Sequence, residues 1–93
     1  MADIFVDRTT NFDGSASPIT ATGPIALACT GQFGKATLKI WGNIDSSDPQ
    51  VIYQSRTKFM DLLLLPSGAD WYAELIGVEA GTVTSLTLSY LDA

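Results

Sequence analysis

Asp61, Asp70 and Glu74 are the residues whose type and spacing come nearest to catalysis in this chain. Two carboxyl groups held about 5 to 9.5 Å apart across a cleft are enough to hydrolyse a glycosidic bond. Solvated strand and turn carboxylates are the commoner role for such residues, because charged side chains mostly stay exposed. The 93 residues include no histidine, which removes Ser-His-Asp and Cys-His arrangements, ordinary zinc sites and the usual general base together. The expectation is a non-enzymatic protein with no catalytic residue.

The other chemistry-bearing patterns are incomplete. In "NIDSSDPQVIYQ" the oxygens of Asn43, Asp45 and Ser47 alternate as they do in a calcium loop, but Asp48 stands where the loop needs glycine and Gln54 where it needs a bidentate glutamate. A hairpin loop is the better reading. "GPIALACTGQFGKA" is glycine-rich yet lacks the Lys-Ser/Thr pair and the G-x-G-x-x-G spacing that cradle phosphate. No cofactor and no metal are expected. Cys29, the one cysteine, cannot form an internal disulfide and has no cationic residue within four positions to lower its thiol pKa. It reads as a small buried hydrophobe. Trp41, Tyr53, Trp71 and Tyr72 could form a sugar-stacking platform, against the commoner role of core or interface packing.

Ten acidic residues against five basic ones give a net charge of −5, so a nucleic-acid backbone is repelled, with no Lys/Arg cluster to reverse the effect locally. With 46% hydrophobic and 16% charged residues the composition is that of a folded domain, and the length supports one core. No apolar stretch approaches the roughly 20 residues of a membrane helix. The first residues lack a basic then apolar leader. The expectations are no nucleic-acid partner, no membrane span and folding in a reducing cytoplasm.

The elements that would position these residues follow a period of two. In "KATLKIWG" Ala36, Leu38 and Ile40 share one face and Thr37, Lys39 and Trp41 the other; in "TVTSLTLSYL" Thr84, Leu86, Leu88 and Tyr90 oppose Ser85, Thr87 and Ser89. "VIYQS", "TKFMDLLLL" and "DWYAELIG" are further strands closed by Asp-Pro, Pro-Ser-Gly and Glu-Ala-Gly turns. "DIFVDR", "PITAT" and "PIALACT" supply three more, two of them beginning at a proline. No long window has helical periodicity. The predicted fold is a single all-β domain, an antiparallel β-sandwich of jelly-roll or immunoglobulin-like type over residues 1–93, with 1–17 as a possible N-terminal arm.

The strand containing four consecutive leucines, Leu62 to Leu65, is apolar on both faces. If Asp61 marks its own face as the wetter one, Leu62 and Leu64 fill the core while Phe59, Leu63 and Leu65 point outward. Three such side chains in water forgo roughly 1.5 to 3 kcal/mol each relative to burial, so a partner is expected to cover them. In "DWYAELIG" Trp71, Ala73 and Leu75 form one face, while Tyr72 and Ile76 flank Glu74 on the other. The expected interface set is Phe59, Leu63, Leu65, Tyr72, Ile76 and Trp41, against the alternative that other segments of the same chain cover them.

"GQFGKATLKIWGNIDSSDPQVIYQS" followed by "LLLPSGADWYAELIGVEAGTVTSLTLSYLD" resembles a class of small virion proteins of tailed bacteriophages over about residues 31 to 92, through strand-and-turn rhythm and not through a functional motif. The resemblance implies a β-sandwich that decorates or cements a phage capsid, commonly as a homotrimer bound to the major capsid protein, with a location on the virion surface. It carries no catalytic or metal residue. The alternative from another class is a carbohydrate-binding or tail and receptor-binding accessory module, which would need Trp41 or Trp71 exposed.

Overall fold

The computed structural model describes residues 2–43 and 48–92. Among the described residues there are nine strands: β1 (Ala2–Arg8), β2 (Phe12–Asp13), β3 (Ile19–Thr20), β4 (Ile25–Gln32), β5 (Thr37–Asn43), β6 (Gln50–Ser55), β7 (Phe59–Leu63), β8 (Asp70–Ile76) and β9 (Ser85–Asp92). There is no helix among the described residues, as the missing 3.6-residue period predicts. The strands form two antiparallel sheets, one ordered β1-β9-β4-β7 (sheet A) and the other β2-β8-β5-β6 (sheet B), with β3 also paired to β8. Counting β2 and β3 as one interrupted strand on β8, this is the order of an eight-stranded jelly roll, the first of the two expected sandwich types.

The sequence alternation is converted directly into a two-layer core. Ile25, Leu27 and Cys29 of β4 and Leu86 and Leu88 of β9 face Leu38 and Ile40 of β5 and Trp71, Ala73 and Leu75 of β8, all of them buried. Trp71 meets Tyr90 edge to face across the two sheets, with centroids 5.1 Å apart. Two more aromatic pairs close the open sides of the sandwich: Phe5 of β1 against Phe12 of β2 at 5.2 Å, and Tyr53 of β6 against Phe59 at 4.9 Å. Aromatic rings suit these seams because each reaches from one sheet to the other with a large apolar surface.

The segment expected as a possible N-terminal arm, 1–17, contains β1 and β2. β1 pairs with β9 along the edge of sheet A, and Phe5 enters the core. Two register shifts interrupt this pairing, and Asp7, within the second of them, has φ of 48°, so the edge is bent where a flat one would invite another strand. The stretch "TTNFDGSAS" contains β2: Phe12 lies opposite Leu75 and Asp13 opposite Glu74. Beyond it, Asp13 Oδ1 accepts the Ser15 amide at 2.9 Å, and the Gly14 amide donates to the Ala73 carbonyl at 2.9 Å. Gly31 marks the tightest backbone approach: its φ is +112°, and a Cβ there would lie 2.0 Å from the Ser85 carbonyl oxygen, so no other residue fits.

The parity expected for the leucine strand is inverted. Phe59, Leu63 and Leu65 are half-buried and pack against the core, whereas Met60, Leu62 and Leu64 are 82%, 54% and 79% exposed. Asp61 shares the inner face, yet it stays exposed because β7 is the edge strand of sheet A. There its charge raises the Tyr53 phenol of β6, after desolvation, and its Oδ1 accepts the Leu62 amide at 2.9 Å. A carboxylate marks a solvated face only on a strand with neighbours on both sides; at the mouth between two sheets an inward carboxylate still reaches water.

Candidate functional site

The six residues expected to form one interface are divided between two places. Phe59, Leu63 and Leu65 belong to the seam between β7 and β6, and Trp41, Tyr72 and Ile76 lie half-buried on the outer face of sheet B. The second half of the expectation stands as to face: Trp71, Ala73 and Leu75 point inward and Tyr72, Glu74 and Ile76 outward.

On the outer face of sheet A lies an apolar surface that parity assigned to the core. Ala26 is flanked in register by Leu62 on β7 and Leu91 on β9, and Ala28 by Met60 and Ser89. Leu91 is 51% exposed, and Leu64 extends the patch beyond the end of β7. None of Ala26, Ala28, Met60, Leu62, Leu64, Ser89 and Leu91 carries a charge. A shallow depression of about 300 Å³ between Ala28, Thr30, Lys58 and Met60 continues it. The small alanines of β4 leave a trough between the longer side chains of the flanking strands. The sequence carried this signal as Ala26 and Ala28 alternating with Ile25, Leu27 and Cys29, but the pairing of β4 with β7 and β9 is non-local and gives no sequence mark.

The outer face of sheet B is chemically different. Trp41 lies directly opposite Tyr72, with ring planes 11° apart and centroids 6.2 Å apart. The Trp41 indole N–H donates to Glu74 Oε1 at 3.1 Å, which fixes the orientation of both groups. Glu74 has Lys39 opposite it on β5 and Asp13 opposite it on β2. Farther along β8, Asp70 Oδ1 accepts the Thr20 hydroxyl at 2.9 Å. The Tyr72 phenol is raised above its ordinary pKa, first by desolvation and then by the charges of Asp13 and Glu74. The Asp13 carboxyl is lowered by its bond from the Ser15 amide. Beside Tyr72 a groove of about 270 Å³ runs past Ile4, Phe12, Ile19 and Tyr90.

The carboxylates considered for glycoside hydrolysis do not come together as a pair. Asp70 and Glu74 lie four residues apart on one strand, which places their α-carbons about 13 Å apart, beyond the about 9.5 Å upper limit of such pairs. Asp61 sits at the rim of the other sheet. Of the oxygens weighed for calcium, Asp45 and Ser47 lie outside the described residues; no group of three or more acidic or cysteine side chains that could hold a metal occurs among the described ones. No helix among the described residues is long and apolar enough to cross a membrane. Cys29 is fully buried, and desolvation pushes its thiol up to about 12. Trp71 is fully buried, which leaves Trp41 as the tryptophan with an accessible ring. Comparison with protein-family models, curated proteins and solved structures finds no match to this chain.

Proposed function

We propose that this chain is a non-enzymatic virion structural protein, a decoration or cement element that attaches to a bacteriophage head through the outer face of sheet A. The observation that carries the reading is the uncharged patch of Met60, Leu62, Leu64 and Leu91 around Ala26 and Ala28. On a chain of net charge −5, a contiguous apolar area whose bordering carboxylate, Asp3, is taken up by the Ser89 hydroxyl at 2.6 Å is suited to burial against another protein. The resemblance of residues 31 to 92 to small phage virion proteins supplies the kind of partner, the major capsid protein. Jelly rolls serve capsid and lectin domains alike, so the fold by itself does not choose between them.

Magnitudes favour attachment in several copies. Completing the burial of Leu62 and Leu91, about half exposed, and of Met60 and Leu64, about four-fifths exposed, stabilises an interface by about 4 to 8 kcal/mol, within the lower half of the roughly 4 to 15 kcal/mol that association costs in lost freedom. One such contact is weak. A symmetric oligomer, with a homotrimer favoured by the resemblance, engages several equivalent sites at once and gains avidity without any new contact. The test is co-sedimentation with heads of the encoding phage. Wild-type protein is expected to sediment with them and Leu62→Asp to stay in solution while remaining folded; equal sedimentation of both would remove sheet A as the attachment face.

A further inference from the structure

The outer face of sheet B contains an electrostatic arrangement that the fold does not need. Asp13 and Glu74 are directly opposed residues of an antiparallel pair, a position that brings β-carbons within about 5 Å and makes like charges destabilising. Both sit beside the aligned Trp41 and Tyr72 rings, one of which is hydrogen-bonded to Glu74 itself. Lys39 stands opposite Glu74 on the other flank but is not ion-paired to it; the ion pair among the described residues is Lys35–Glu79 at 3.6 Å. The two carboxylates therefore face each other next to an aromatic pair with no cation between them.

We propose that this face is a docking site for an arginine side chain of another protein, with Trp41 and Tyr72 as the stacking surface and Glu74 and Asp13 as the counter-charge. A guanidinium is planar, stacks on indole and phenol rings and forks to carboxylates, which matches both components of the face at once. It also relieves the opposed acidic pair, which a neutral sugar stacked on the same rings would leave in place. The raised Tyr72 phenol reports the same negative surroundings, after desolvation, through Asp13 and Glu74. The arginine has to come from outside the chain, because both arginines of this one are engaged. Arg8 bonds the carbonyls of Thr10 and Asn11 and lies 5.2 Å over the Phe12 ring, and Arg56 Nε donates to Thr37 Oγ1 at 3.1 Å. The site is independent of attachment through sheet A, since it occupies the opposite sheet.

The test uses a capped pentapeptide with a central arginine flanked by glycines, its citrulline counterpart, and a neutral maltohexaose, each titrated into the isotopically labelled chain. The Trp41 indole N–H resonance is the readout, with the Trp71 indole as an internal control because that ring is buried. The arginine peptide is expected to shift Trp41 with saturation near about 10 mM, and the citrulline peptide and the sugar to leave it unmoved. Glu74→Gln, which keeps the shape and the indole acceptor, should weaken the arginine peptide about tenfold, while Asp92→Asn on the far sheet changes nothing. Equal shifts with citrulline, a shift with the sugar alone, equal weakening by both variants, or no shift with arginine would each overturn the proposal.

Discussion

The two outer faces of this sandwich are built by the same alternation and do opposite things with it. On sheet B the outward positions of β5 and β8 carry Thr37, Lys39, Trp41, Asp70, Tyr72, Glu74 and Ile76, a face of rings and charges whose hydrogen bonds are made within the sheet. On sheet A the outward positions of β4 and β7 carry Ala26, Ala28, Met60 and Leu62, which bond to nothing. A polar outer face costs a monomer little, whereas an apolar one is tolerated where something else covers it. The difference teaches that the leucine run is not surplus core. One half of it seals the seam to sheet B, and the other half is presented outward.

The sharpest division is between inner and outer leucines of neighbouring strands. Leu27→Ala is expected to destabilise the domain by about 2 to 5 kcal/mol, since the side chain is fully buried. Leu62→Ala should cost less than about 1 kcal/mol, because more than half of its surface is already in water. Denaturant melts of both variants check this, and comparable losses would mean that the two faces are not distinct.

A smaller effect is expected from pH. Burial pushes the Cys29 thiol up to about 12, whereas an unfolded thiol titrates near about 8.5. Between these values the folded state keeps a proton that the unfolded state has released. Stability is therefore complete below about pH 8.5 and falls by at most about 1.4 kcal/mol per pH unit above it. Cys29→Ala should flatten that slope in melts taken at several alkaline pH values; an unchanged slope would assign it to other groups.

The smallest change concerns Asp61, which stands where the two faces meet. Tyr53 is raised above its ordinary pKa by desolvation first and then by the charge and hydrogen bond of Asp61. In Asp61→Asn the Tyr53 phenol is expected to titrate lower than in the wild type, with a stability change under about 1 kcal/mol, as read by NMR of the tyrosine ring. A Tyr53 titration unmoved by the substitution would separate the two residues.

Much of this was legible from local pattern alone. Ala36, Leu38 and Ile40, Trp71, Ala73 and Leu75, and Leu86, Leu88 and Tyr90 point inward as their alternation predicts, because on strands flanked on both sides parity and burial coincide. The β7 parity was misread because Asp61 satisfies an inward position at an open rim. β2 was missed because two residues, Phe12 and Asp13, carry too little pattern to signal a strand; they are held by β8, sixty residues away, and by the Phe5 ring. The uncharged patch of sheet A and the Asp13–Glu74 opposition of sheet B both arise from long-range pairing, which a linear reading cannot supply.

The central claim is that Met60, Leu62, Leu64 and Leu91 attach the chain to the head, and titration of heads of the encoding phage with the purified chain, its light-scattering mass measured in parallel, tests it most directly. The wild-type chain should bind the heads and saturate them. Leu62→Asp should lose that binding while keeping the mass and the melt of the wild type, since an unpaired carboxylate is penalised where a partner would bury it. A Leu62→Asp variant that binds heads as the wild type does would contradict the claim.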